Sequence, residues 1–282
     1  MDIRIELDRP SGPYYPGDVV QATIALQSEK EMKVRKASAG LVLLEDYEYT
    51  YAKAKGGHHH GSDTVEDFRS FKDLLEGGAI PAGVQTYHLD CKIPANAPAP
   101  YRGQITKNRW LVRASLDRER AIDIHREVEL PLVVPPPGKS IEPGEYGETE
   151  HSDEAELRFW LPRLEWVEGE TVEGKLLVRP TANFGVSEVR LELLRQEYVP
   201  RNDGHTHIFT EGEVKLADKV EFWPAHHVEY SFAFPLPKQG CPTRRTDHSR
   251  VTWSLKATLA RRLRKDAIVS VEVYVYNGPA PA

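Results

Sequence analysis

Trp110-Leu111-Val112-Arg113-Ala114-Ser115-Leu116 returns later in the chain as Trp253-Ser254-Leu255-Lys256-Ala257-Thr258-Leu259. In both copies Trp, an aliphatic residue, Ala and Leu take alternate positions, and the residues between are mostly polar or charged. Such alternation is the mark of a strand with one face in a core and the other in water. The offset of 143 residues (253 − 110) also relates Pro81 to Pro224, Tyr87 to Tyr230, Ile93-Pro94 to Leu236-Pro237, and Asp123 to Asp266. A register held without a gap from residue 81 to residue 123 points to a tandem duplication of one all-β unit.

A chain of 282 residues suits about two domains of roughly 150 residues each. The expected division is a first sandwich over 1–134, a linker over 135–153 and a second sandwich over 154–282. Pro135-Pro136-Pro137-Gly138 favours a stiff, extended start to the linker. The Gly, Pro and Glu residues from Glu142 to Glu148 present no apolar face, so they are expected to stay mobile or on the surface. Charge is unevenly placed. Residues 1–134 hold 18 basic and 20 acidic side chains, residues 157–282 hold 18 and 16, and the connector 135–156 holds one and seven. Neither half has the basic excess of a nucleic-acid binder. The connector holds the imbalance, as a solvated tether or as an acidic strap against a basic surface of the second domain.

No apolar run approaches the roughly 20 residues needed to span a bilayer. Met1-Asp2-Ile3-Arg4-Ile5-Glu6-Leu7 alternates apolar and charged residues, so it reads as a first strand and not as a signal peptide. The two cysteines, Cys91 and Cys241, are not repeat equivalents, since Cys91 aligns with Phe234. A matched disulfide framework is therefore absent, and a reducing, cytoplasmic setting is expected.

Tyr15-Pro16-Gly17-Asp18 leads into the run from Val19 to Leu26, as Val167-Glu168-Gly169-Glu170 leads into Val172, Leu176 and Val178. Next come Val34 to Tyr51 and Val186 to Val199, whose centres align as Leu41-Val42-Leu43-Leu44-Glu45 with Leu191-Glu192-Leu193-Leu194-Arg195. In Val65 to Leu75 the apolar residues Val65, Phe68, Phe71 and Leu74 recur every three, which favours a helix; the counterpart from Ile208 to Val220 looks extended. Both are assigned as strands. About seven short strands per half, with Pro and Gly at the junctions, predict tandem antiparallel β-sandwiches.

These features together resemble the arrestin fold. The resemblance rests on Tyr15-Pro16-Gly17-Asp18, on Ile93-Pro94 followed by Pro100-Tyr101-Arg102-Gly103, on Trp110 to Leu116, and on the hairpin Leu116 to Arg120. In size and compact connector the chain is most similar to the prokaryotic sporulation-control branch. The resemblance implies a non-enzymatic adaptor or regulatory scaffold that binds protein partners, as a monomer or weak dimer. An edge strand or the concave sheet faces would receive the partner. A phosphate-sensing lysine pair and the buried charge cluster of visual arrestins do not map onto named positions, so partner identity does not carry over and partner-binding residues stay unassigned.

The sequence holds no nucleophile elbow, phosphate loop, zinc signature or dinucleotide fingerprint, and no catalytic residue or cofactor is expected. Glu45-Asp46 and the connector glutamates read as solvated. His58-His59-His60 between glycines, and His205 and His207 at the matching place, read as solvated loop tips, not as a metal site. One of His226-His227 is expected to be a structural histidine, and Trp110, Trp253, Tyr87 and Tyr230 to be core. The basic hairpin Arg261-Arg262-Leu263-Arg264-Lys265 reads as a soluble tip whose charges discourage edge pairing, with anionic lipid or RNA as the alternative. The second functional class is a carbohydrate-binding or hydrolytic sandwich, for which Tyr47, Tyr49 and Tyr51 would form the platform.

Overall fold

Alternation in the sequence becomes strand after strand. In the computed structural model residues 1–52, 57–119, 121–138, 142–238 and 240–281 are described, and none of them is helical. They group into two units, Met1–Arg102 with Thr106–Val134, and Gly103–Ile105 with Pro135–Ala282.

The first unit holds β1 (Asp2–Leu7), β2 (Val19–Ser28), β3 (Met32–Ala52), β4 (His58–Ile80), β5 (Gly83–Lys92), β6 (Tyr101–Arg102), β7 (Thr106–Arg118) and β8 (Ile124–Glu129). One antiparallel sheet has the order β1-β2-β5; the other runs β4-β3-β7-β6, with β8 also on β7. Inward residues of the first sheet, such as Val20, Ile24 and Leu26, meet Leu41, Trp110, Val112 and Leu116 of the second.

The second unit repeats this plan with β9 (Gly144–Tyr146), β10 (Thr149–Glu150), β11 (Ala155–Leu161), β12 (Glu165–Val167), β13 (Thr171–Pro180), β14 (Phe184–Val199), β15 (His205–Phe222), β16 (Val228–Pro235), β17 (Arg244–Arg245), β18 (Arg250–Ala260) and β19 (Ala267–Tyr276). Its sheets run β16-β13-β11-β9 and β10-β19-β18-β14-β15, with β12 and β17 added at β19 and β18.

The repeat extends to single hydrogen bonds. Trp110 and Trp253 are 1 % and 0 % exposed. Their indole N–H groups donate to the carbonyls of Pro98 and Cys241, again 143 residues apart. The hairpins after the tryptophan strands close alike: Asp123 and Asp266 accept from the N–H of Arg118 and Arg261, whose guanidiniums reach the carbonyls of Ile122 and Lys265. Gly17 and Gly169 sit at φ of 93° and 84°, where a side chain would be strained. Tyr87 and Tyr230 are half-buried and pack against the two cores.

Val65 to Leu75 is strand, not helix, and two bulges interrupt its pairing with β3. Leu43 and Leu44 pair with Phe68 and Glu66, leaving Asp67 as the extra residue; Ala37 and Ser38 pair with Leu75 and Asp73, leaving Leu74. The bulge at Asp67 lets Val65 and Phe68 share the face of Glu45 and Leu43, but no bulge separates Phe68 from Phe71, which therefore lies on the other face, away from the core that Phe68 and Leu74 join.

Part of the stretch expected to stay mobile or on the surface pairs with strands of the second unit. Gly144–Tyr146 pairs with β11, and Thr149–Glu150 with β19. Glu145 meets Arg179, and Glu154 meets Arg261 and Arg264 at 2.8 and 2.7 Å. Backbone pairing needs no apolar side chains, so composition gave no sign of these strands.

Candidate functional site

Strand β14 shows where sequence alignment of the two halves slips. Leu43 lies opposite Trp110, whereas the residue opposite Trp253 is Arg195. Anchored on the tryptophans, Leu41 to Glu45 therefore correspond to Leu193 to Glu197, two residues later than sequence similarity suggests. The new register makes Glu45 and Glu197 equivalent, and both are 0 % exposed. Glu45 is thus not solvated as expected: it occupies the inward row of Leu41, Leu43 and Tyr47. Thr106 Oγ1 donates to its Oε1 at 3.3 Å.

In the second unit the inward row Leu191, Leu193, Arg195, Glu197 and Val199 places a cation and an anion among apolar neighbours. The Arg195 guanidinium lies 3.8 Å from the Phe209 ring centre and 5.9 Å from that of Trp253. It donates to Glu197 at 2.9 Å and to Glu211 at 2.7 Å. Glu211 reaches it as the extra residue of a bulge between the partners of Leu193 and Leu194. Glu197 also accepts the backbone N–H groups of Gln104 and Ile105, at 3.0 and 2.8 Å. Buried ions persist only when paired and hydrogen-bonded, and this cluster meets both demands. A buried charge cluster is therefore present, although sequence comparison located none. The signal was there: Arg195 and Glu197 stand at positions where the alternation calls for apolar residues.

Chemically the cluster is a lock. Arg195 is a permanent donor and both glutamates act as its acceptors.

The other singled-out residues are dispersed. His58, His59 and His60 lie in β4, paired with Ala52, Tyr51 and Thr50, and not in a loop. Gly61 allows this, because a Cβ there would stand 2.8 Å from the Tyr49 ring. His205 and His207 likewise belong to β15, opposite Val199 and Glu197. Among the described residues no group of three or more His, Cys, Asp or Glu could hold a metal ion. His226 and His227 are both exposed, contrary to expectation; the His226 ring stacks on Trp223, 4.1 Å between centres. Tyr47 is 4 % exposed, so the three tyrosines form no open platform. Arg261 is drawn from the basic hairpin tip into bonds with Glu154 and the His151 carbonyl. Both cysteines are free thiols, and burial pushes both above the usual thiol range.

Two sandwiches of matching strand order define a tandem β-sandwich protein. Residues 3–136 match the family described as arrestin (or S-antigen), N-terminal domain. The match falls on the first unit. A comparison with curated proteins gives no match. No helix among the described residues is long and apolar enough to cross a membrane.

Proposed function

We propose that this chain is a non-catalytic, arrestin-like adaptor or regulatory scaffold that acts by binding protein partners. The observation that carries the reading is the match of residues 3–136 to the arrestin N-terminal domain family. Free thiols at Cys91 and Cys241 support work in a reducing, cytoplasmic compartment. The sporulation-control branch is the context that its size and connector favour. We place the division into independently folding parts at the end of residue 134, and take the working state as monomer or weak dimer.

The test starts with cross-linking capture by the full chain in its native host, followed by titration of each purified candidate against the purified chain. Saturable, stoichiometric binding is expected, and deletion of the gene in a sporulating host should alter sporulation. If no captured protein binds directly once purified, or if the chain turns over a substrate, the adaptor reading is wrong. Unchanged sporulation would remove the branch assignment alone.

A further inference from the structure

The sheet β16-β13-β11-β9 of the second unit carries a feature that neither folding nor the adaptor reading requires. Its register sets Glu145, Trp160 and Lys175 side by side on three neighbouring strands, and Leu177 next to Glu229 in the adjoining row. With Arg179 and the imidazole of His227 they line a depression of about 280 Å³. Trp160 is 39 % exposed, while Leu177, on the same face, is 8 % exposed. Two ion pairs frame the apolar floor: Lys175 with Glu229 at 2.8 Å, and Arg179 with Glu145.

The repeat supplies the control. The row Ile5, Ile24 and Tyr87 corresponds to Phe159, Leu176 and Tyr230. The next row out is therefore Glu6, Thr23 and His88 in the first unit, and Trp160, Lys175 and Ser231 in the second. A sandwich of this plan forms with Glu at the position that Trp160 fills. The indole and its charged frame are additions made on one repeat.

The chemistry of the depression narrows the ligand. Two cations and two anions cancel, so an ionic ligand of either sign gains no net attraction and meets a like charge. Each pair still has unused capacity: an ammonium has three donors, a guanidinium five, and each carboxylate about four acceptor sites. A flat π-face, electron-rich at its centre, attracts weakly positive C–H groups. A neutral ring with C–H bonds on one face and hydroxyls at its edge satisfies all three elements. We propose that this face of the second unit binds a neutral carbohydrate, one sugar ring stacking on Trp160 while its hydroxyls bond to the Lys175–Glu229 and Arg179–Glu145 pairs. The volume suits a ring or two of an oligosaccharide, below the usual range for drug-sized ligands.

The experiment uses the full chain and a panel of neutral hexasaccharides of glucose, mannose and xylose, with sialyllactose and a heparin fragment as charged counterparts. Calorimetric titration should find at least one neutral sugar with a dissociation constant of about 1 mM or tighter. In the NMR spectrum that sugar should shift the indole N–H of Trp160, assigned with Trp160→Phe, and leave those of the buried Trp110, Trp166 and Trp253 in place. Trp160→Ala should weaken binding by about tenfold or more, Trp160→Phe and Lys175→Met by less. Trp223→Ala, at the other exposed tryptophan, should leave it unchanged. The proposal is overturned if no neutral sugar binds at about 1 mM, if a charged sugar binds more tightly than every neutral one, or if Trp160→Ala, folded as wild type, keeps full affinity. None of these outcomes bears on whether the chain binds protein partners.

Discussion

One slot, occupied twice, shows how differently the two units fill the same plan. In the first unit Leu43 lies opposite Trp110, with Phe68 5.5 Å from that indole. In the second, Arg195 lies opposite Trp253 and beneath Phe209. The aromatic walls are kept, and an aliphatic filler is exchanged for an ion. Its counter-charges are Glu197, whose equivalent Glu45 is buried in the first unit as well, and Glu211, delivered by a bulge. A slot filled with Leu gains stability from transfer and dispersion. A slot filled with Arg first pays desolvation, then recovers it only through fixed bonds. The first arrangement tolerates repacking; the second holds one geometry or fails.

The largest effect should come from the walls that the two slots share. Trp110→Ala and Trp253→Ala should each cost about 3–5 kcal/mol in urea unfolding. Near-wild-type stability for either would place that ring outside its core and end the equivalence of the slots.

The fillers come next. Arg195→Leu should cost about 3–5 kcal/mol, because Glu197 stays buried without its cation and the half-buried Glu211 loses its partner. Adding Glu197→Leu and Glu211→Leu should restore stability to within about 1–2 kcal/mol of wild type, if the ions contribute specificity more than stability. A single Arg195→Leu chain as stable as wild type would show that the cluster carries no energetic weight. Leu43→Met in the first unit, a swap of similar volume, should cost less than about 1.5 kcal/mol.

The same contrast explains what the sequence disclosed. Period-two alternation, the matched tryptophans and the Pro–Gly junctions expose the fold, because each reports a local property: face, volume or backbone angle. The charge cluster stayed hidden because it arises from register. Alignment by similarity paired Leu41-Val42-Leu43-Leu44-Glu45 with Leu191-Glu192-Leu193-Leu194-Arg195, whereas hydrogen bonding to the tryptophan strand shifts the match by two residues. Val65 to Leu75 imitated a helix because a bulge at Asp67 and an apolar residue on the outward face, Phe71, together spaced its apolar residues by three. Strands β9 and β10 escaped notice because backbone pairing leaves little trace in side chains.

A weaker contrast lies at the lead-in turns. Pro16 precedes Gly17, while its counterpart Glu168 precedes Gly169 and is largely buried. Burial pushes the Glu168 carboxyl above the usual range; the N–H groups of Gly240 and Cys241 oppose this only in part. A carboxyl with a raised folded-state pKa binds its proton more tightly folded than unfolded. This group's contribution is therefore fully present below the unfolded pKa and is lost as pH rises through the folded one. Glu168→Gln should flatten that segment of the stability–pH curve, in unfolding titrations taken from acid to neutral pH. An identical slope in the variant would assign the pH dependence to other groups.

The smallest effect tests the connector at the two closing hairpins. Arg118 and Arg261 make the same bonds to their own turns, but Arg261 also meets Glu154 at 2.8 Å. Its side chain is only 8 % exposed, and Arg264 shares the carboxylate at 2.7 Å while remaining open to water. Exposed pairs contribute about 0–1 kcal/mol each, and salt screens them beyond roughly 8 Å at physiological strength. Glu154→Gln should therefore cost about 1 kcal/mol, and added salt should reduce the difference without abolishing it, since the Arg261 contact is sheltered. Asp123→Asn in the first unit touches the equivalent turn without a connector carboxylate, so its cost should change little with salt. If Glu154→Gln costs nothing at low salt, the acidic connector is held by the β9 and β10 backbone pairing and the Glu145–Arg179 contact. If its cost vanishes at high salt, Arg261 is as open to water as Arg264, and the sheltered geometry at that hairpin is wrong.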